Sequence, residues 1–229
     1  MLIFLTKKKD AMKVRTIPLR GGYLLIVFLN SCVLNSIPNN NGMGQAYVYE
    51  CEGGYEFVAS IEDGGVWLFL PDQAIKLPHV SSGSGTKYRE GDKLFWSKGD
   101  EAFLEIAGGK YQGCINNRAK AIWEQAKLNG WDYRAGGNEP DWHILISKEK
   151  GIVFVSDYGQ TVNKFAVPEP LIDKINATAK YHVQENGHNL DITIKGTKCL
   201  DTMSDELFET SVTVTLDNER FNGCGKALH

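Results

Sequence analysis

Ser84 and Lys98 are the two side chains whose chemistry and spacing stand out first. A hydroxyl and an ammonium can together hold anionic groups by charge-assisted hydrogen bonds. Ser84 sits in a Gly/Ser loop, Ser81 to Gly85, and Lys98 opens the turn Lys98-Gly99-Asp100. Between them lie two strand-like runs, Thr86 to Glu90 and Lys93 to Lys98, joined by the turn residues Glu90-Gly91-Asp92. One hairpin thus has a supple loop where it begins and a Lys-Gly turn where it ends, outside the strand centres, where a rigid scaffold presents function. Ser84-Gly85-Thr86-Lys87 also spells the Ser-x-x-Lys of serine acyl-enzymes. That chemistry asks the serine to open a helix, whereas Gly85, Tyr88 and a turn follow here. The companion motif is broken too, since Ser204-Asp205 runs into Glu206 rather than Asn.

Other chemistry-bearing residues are sparser. Asn138, Glu139 and Trp142 could form a polar site beside an aromatic, with Asp201 and Ser204 added to it. The plainer reading is a turn, in which Asn and Gly set the backbone, Pro140 stiffens it and Trp142 packs inward. His182, His188 and Cys199 lack a compact ligand spacing, and Cys199 has a partner in Cys224, so no metal is expected. No Ser-His-Asp order in motif context, phosphate loop or dinucleotide fingerprint is present, so no catalytic residue and no cofactor is assigned.

The segment from about Tyr47 to Cys114 resembles the family of membrane-bound inhibitors of C-type lysozyme (MliC) and its periplasmic relatives. The resemblance rests on Ser82-Gly83-Ser84-Gly85, Lys87-Tyr88, Gly91, Phe95-Trp96 and Lys98-Gly99-Asp100-Glu101-Ala102, with Leu70-Pro71-Asp72 and Leu77-Pro78. It implies a small antiparallel barrel with no enzymatic activity. It also implies that Ser84 and Lys98 enter the lysozyme cleft and bind its catalytic carboxylates, with C-type lysozyme as the protein partner. Ser82 is a substitute for Ser84 in that role, and Gly83, Gly85 and Tyr88 belong to the same contact set. Tyr88, Phe95 and Trp96 also suit the barrel wall, and Lys87, Arg89 and Lys93 read as solvated strand-face charges. A glycosidase of this kind works with two carboxyl groups, which a lysine and a serine can occupy together. Glu90 and Asp92 are expected to act as rim charges that speed association with the cationic enzyme.

Positioning the pair requires a barrel, and the sequence supplies its strands. Eight β-rich runs fall between residues 46 and 115: Tyr47 to Cys51, Tyr55 to Ile61, Val66 to Leu70, Gln73 to Leu77, Thr86 to Tyr88, Lys93 to Lys98, Ala102 to Ile106 and Tyr111 to Ile115. Gly-rich turns separate them. A bridge between Cys51 and Cys114 would reinforce so small a core. Arg118 to Leu128 has no Gly or Pro and reads as a helix ended by Asn129-Gly130, with Trp123 pointing at a flanking domain. Strand-like runs resume at His143 to Ser147, Gly151 to Val155, Val162 to Val167, Ala177 to Val183, Leu190 to Ile194 and Ser211 to Leu216.

This second half resembles uncharacterised bacterial envelope proteins with a Gly-Asn-Glu-Pro-x-Trp motif, here Gly137 to Trp142, although relatives more often have glycine where Asp141 stands. Their Cys-x-Asp-x-Met-Ser segment falls on Cys199 to Ser204, ahead of Gly223-Cys224-Gly225. The resemblance implies a fold and no activity. The expected fold class is mostly β: a small eight-stranded antiparallel barrel joined by a short helix to a second β-rich domain. The expected boundaries are a signal peptide at 1–31, a tether at 32–44, the barrel at 45–117, a helical linker at 118–130 and the second domain at 131–229. Cys199 is expected to pair with Cys224, since each cysteine pair brackets one strand set.

The apolar run Tyr23 to Leu29 is too short to span a bilayer and follows positive charge, as in a signal-peptide core. Leu29-Asn30-Ser31-Cys32 resembles the lipobox of bacterial lipoproteins, which implies lipidation (palmitate) at Cys32. Val33 follows instead of a retaining aspartate, so the outer membrane is the expected destination, with the protein facing the periplasm. Met12 is an alternative start. Residues 1–31 hold six Lys/Arg and one Asp, so the remainder carries 19 basic against 27 acidic side chains, a net −8 instead of −3. Such a balance argues against nucleic acid and suits a cationic partner. Three function classes follow: a lysozyme inhibitor, which leads; an envelope binding or adhesion module that reuses the barrel without inhibition; and an enzyme built on the second domain, which rests only on Asn138, Glu139, Asp201 and Ser204.

Overall fold

Short apolar/polar alternations broken by Gly-rich turns give strands that bury one face each. In the computed structural model, residues 44–229 are described; the signal-like segment, Cys32 and the tether as far as residue 43 lie outside the described residues. Eight strands pair antiparallel in chain order: β1 (Gln45–Glu50), β2 (Glu56–Glu62), β3 (Gly65–Phe69), β4 (Ala74–Val80), β5 (Thr86–Glu90), β6 (Lys93–Lys98), β7 (Glu101–Ile106) and β8 (Gly109–Asn116). β8 returns to β1 through Tyr49↔Asn116 and Glu50↔Ile115, which closes the barrel. Closure removes the two edges that an open sheet would leave unpaired. Tyr49, Phe57, Tyr88 and Phe95 meet ring to ring inside it, packed with Leu68, Leu77 and Leu104. The Cys51–Cys114 disulfide ties the chain just beyond β1 to β8.

Helix α1 spans Arg118–Leu128, the limits expected from its composition. Asn117 caps it by accepting a hydrogen bond from the Lys120 N–H (3.1 Å). One side of α1 packs on β1, where Ala46 and Val48 are buried away from the barrel core. Gln125 clamps that contact, accepting from the Ala46 N–H (2.7 Å) and donating to the Gly44 carbonyl (3.1 Å). The other side of α1 carries Trp123, which stacks near Phe208 with ring centroids 4.8 Å apart.

Beyond the helix come β9 (Tyr133–Asn138), β10 (Asp141–Ser147), β11 (Gly151–Ser156), β12 (Thr161–Phe165), β13 (Leu171–Asp173), β14 (Thr178–Glu185), β15 (His188–Lys195), β16 (Cys199–Asp201), β17 (Glu206–Phe208), β18 (Thr210–Leu216) and β19 (Glu219–Ala227). Nine of these form one antiparallel sheet in the order β12-β11-β10-β9-β19-β18-β15-β14-β13, and β16 and β17 pair separately. The sheet curls, so that Ile144 and Phe154 from one half share a core with Leu190, Ile192 and Val214 from the other. The Cys199–Cys224 disulfide fastens the small hairpin to β19.

In this second body the glycine-rich residues 133–138 and 219–227 form strands β9 and β19, where the sequence pattern predicts motif and turn. The physical reason is close approach between the strands. A Cβ on Gly223 would lie 2.0 Å from the Gly136 carbonyl oxygen, so glycine here serves strand packing and not a bend. The short β13, β16 and β17 gave no alternation long enough to read.

Candidate functional site

The β5–β6 hairpin places both candidate side chains at one end of the barrel. Its register runs from Thr86↔Ser97 to Glu90↔Lys93, so the Ser81 to Gly85 loop and the Lys98-Gly99 turn share the end opposite Gly91-Asp92. Ser84 and Lys98 are both exposed. Neither the Ser84 hydroxyl nor the Lys98 ammonium has a hydrogen-bond or ion-pair partner among the described residues. The hairpin therefore presents an uncommitted donor pair.

The loop itself is braced. Ser82 Oγ donates to the Gly85 carbonyl (2.8 Å) and lies 3.2 Å from the Ser84 carbonyl. Trp96 donates its indole N–H to the Ser84 carbonyl (2.9 Å), which pins the loop to β6. At Gly85 φ is +65°, and a Cβ would stand 2.5 Å from the Ser97 carbonyl oxygen and 3.0 Å from the Trp96 ring. Only glycine passes there without displacing the strand. Gly83 and Ser84 form the exposed crest between these fixed points.

Across the hairpin end, Lys98 faces Glu101 in the β6–β7 register. Asp100, the nearest carboxylate in sequence, is taken up elsewhere. Arg118 binds it through Nε (3.0 Å) and Nη2 (2.5 Å), and Asn116 Nδ2 adds a third contact (3.2 Å). Hydrogen bonding from Arg118, then from Asn116, holds the Asp100 carboxyl below its usual range.

Some expected contact residues sit elsewhere. Tyr88 is 2 % exposed, stacked on Phe95 inside the barrel, so it supports the hairpin from within instead of reaching a partner. Burial raises its phenol pKa. Ser82 lies in the loop, but its hydroxyl is committed to backbone carbonyls. Glu90 and Asp92 are at the far end of the hairpin, roughly 15 Å of strand from Lys98. They stand apart from the Ser84 and Lys98 end of the hairpin. Two supporting residues escaped the sequence reading: Trp96, assigned only to the wall, and Arg118, read only as helix.

In the second body, Asn138 Nδ2 donates to Asp201 Oδ1 (2.8 Å) and Ser204 Oγ to Asp201 Oδ2 (2.7 Å). Burial works to raise the Asp201 pKa, but these bonds and the Met203 N–H outweigh it and hold the carboxyl low. Trp142 packs into the sheet core, and Glu139 is exposed in the β9–β10 turn. His182 and His188 bond Asp191 and Asp217, each at 2.8 Å, and Cys199 is in its disulfide.

Residues 49–112 match the model of the family described as membrane-bound lysozyme-inhibitor of c-type lysozyme (MliC). The barrel is similar to the MliC family. The match runs from Tyr49 in β1 to Gln112 in β8 and includes both Ser84 and Lys98. The family is one of inhibitors, not of enzymes, and its description places it at a membrane. Residues 113–229 lie outside the match. No curated protein and no solved structure matches the chain. Among the described residues, no helix is long and apolar enough to cross a membrane.

Proposed function

We propose that this chain is a lipid-anchored envelope inhibitor of C-type lysozyme. Its barrel inserts Ser84 and Lys98 into the enzyme's active-site cleft against the catalytic carboxylates. The observation that supports this reading is the β5–β6 register, with a hydroxyl and an ammonium that have no partner among the described residues at one end of a single hairpin. The mechanism is occlusion. The ammonium supplies charge to an ionised carboxylate, and the hydroxyl hydrogen-bonds the second carboxyl group in either protonation state. Loop and turn are braced before contact by Trp96 and by the Arg118–Asp100 pair, so little ordering entropy is left to lose on binding.

Cys32 carries the anchor in this reading, and the acidic remainder of the chain speeds encounter with a cationic enzyme. The barrel at 45–117 acts as the inhibitor, 118–130 links it, and 131–229 forms the second domain. Titrating C-type lysozyme with the full chain should abolish cell-wall lysis at a one-to-one ratio. A well-folded chain that leaves lysis untouched would transfer the barrel to the adhesion-module class. Palmitate labelling should vanish in Cys32→Ala, and label that persists would reject the anchor.

A further inference from the structure

The nine-stranded sheet has a second face that its own core does not use. Ala135, Trp142 and Ile144 point into the core, so the alternation puts Arg134 of β9 and Asp141 and His143 of β10 on the opposite face. Helix α1 covers one side of that face and the β16–β17 hairpin another. Between them lies a cavity of about 270 Å³. A cavity of roughly 150 Å³ accommodates benzene, so this one has room for about ten non-hydrogen atoms.

The polar lining is specific. Arg134 Nε is buried and has no hydrogen-bond partner among the described residues, while the guanidinium sits 5.4 Å from the Trp123 ring centroid. An unpaired buried donor on a charged group costs free energy that an incoming acceptor recovers. Asp201 is spent on Asn138 and Ser204. Asp141 borders the same cavity but forms no ion pair with Arg134 among the described residues. Asn138 and Asp141, at the facing ends of β9 and β10, and Met203 and Ser204 in the turn after β16, remote in sequence, all contribute walls, which brings together two motifs that lie outside the barrel.

We propose that this cavity binds a small organic carboxylate: its anionic group on Arg134, its far end, bearing hydroxyl or amino donors, toward Asp141, its body against Ile122, Met203 and Phe208. Arginine is suited to the task because its planar fork matches a carboxylate in two places at once. Burial lowers the Arg134 pKa to about 10, which leaves it cationic at neutral pH. Burial, and then the charge of Arg134, hold His143 near 4, so the neighbouring imidazole is neutral and can accept or donate without adding charge.

The test is titration of the full chain with D-glycerate and with D-erythronate, hydroxy acids within that size, each against its uncharged counterpart, glycerol and erythritol. The Arg134 Nε–Hε resonance is followed by NMR together with calorimetry. At least one acid should bind saturably, its counterpart at least tenfold more weakly, and Arg134→Gln should lose binding by tenfold or more. Because Arg134→Gln could disturb packing under Trp123, Met203→Trp is the second variant: Met203 is exposed in the hairpin turn, and the larger ring would fill the cavity without entering the core. No binding by either acid up to about 10 mM, a range that detects even millimolar affinity, would overturn the proposal. Equal binding of the neutral counterparts, or binding that survives both folded variants, would also overturn it.

Discussion

At the residue scale, what matters about Lys98 is that it has no partner among the described residues. An exposed lysine beside Asp100 and Glu101 would ordinarily share their charge, but Arg118 holds Asp100 through two nitrogens. Arg118→Ala should release Asp100 to compete for Lys98, weakening lysozyme inhibition at low salt while added salt narrows the difference from wild type. Inhibition constants at two ionic strengths would check this. An unchanged constant at low salt would show that Asp100 does not compete. Trp96 gives a second handle. Trp96→Phe keeps an aromatic ring and loses the bond to the Ser84 carbonyl, a net loss of about 0.5–1.5 kcal/mol. Inhibition should weaken by roughly 2-fold to 10-fold with the melting temperature of the barrel little changed.

At the scale of elements, the hairpin loop depends on backbone that few residues can adopt. Gly85→Ala should destabilise the chain by about 1–3 kcal/mol, because both its φ and its contact with the Ser97 carbonyl oppose a side chain. Gly83→Ala, with no atom within 4 Å of the added Cβ, is the matched control in thermal melts. On β10, His143 is half-buried and neutral, with desolvation and then the charge of Arg134 lowering its pKa to about 4. Between that value and the ordinary 6.5 the unfolded chain binds the extra proton. The contribution of His143 to stability is therefore complete above about pH 6.5 and is lost progressively as pH falls toward 4. Melting temperature should fall less steeply over that window in His143→Gln than in wild type. The elements that were legible in the sequence share a cause: β1–β8 are short β-rich runs cut by turn residues, and α1 has uninterrupted helix formers before Asn129-Gly130. β9 and β19 were hidden because their glycines answer to a neighbouring backbone, which no local pattern announces. Ser84 and Lys98 were legible through a motif, whereas the bracing by Trp96 and Arg118 depends on through-space contacts with no sequence spacing of its own.

At the scale of the whole molecule, α1 is shared property. Gln125 and the Asn117 cap face the barrel, while Trp123 and Ala126 pack with Phe208 and Leu228 of the second body. Cutting the chain after residue 117 would bare Ala46 and Val48 on the outside of β1. Residues 44–117 should then still inhibit lysozyme but melt at a lower temperature than the full chain. The central claim is that two exposed side chains at the hairpin end do the inhibiting, and it is tested most directly by lysozyme-driven lysis of bacterial cell walls in the presence of wild type, Ser84→Ala and Lys98→Ala. Removing the cation from a desolvated carboxylate pocket is expected to cost about 2–4 kcal/mol, or roughly 30-fold to 1000-fold in affinity. Losing the hydroxyl is expected to cost about 1.5–3 kcal/mol, with both variants folded because both sites are exposed. Equal inhibition by all three proteins would contradict the mechanism.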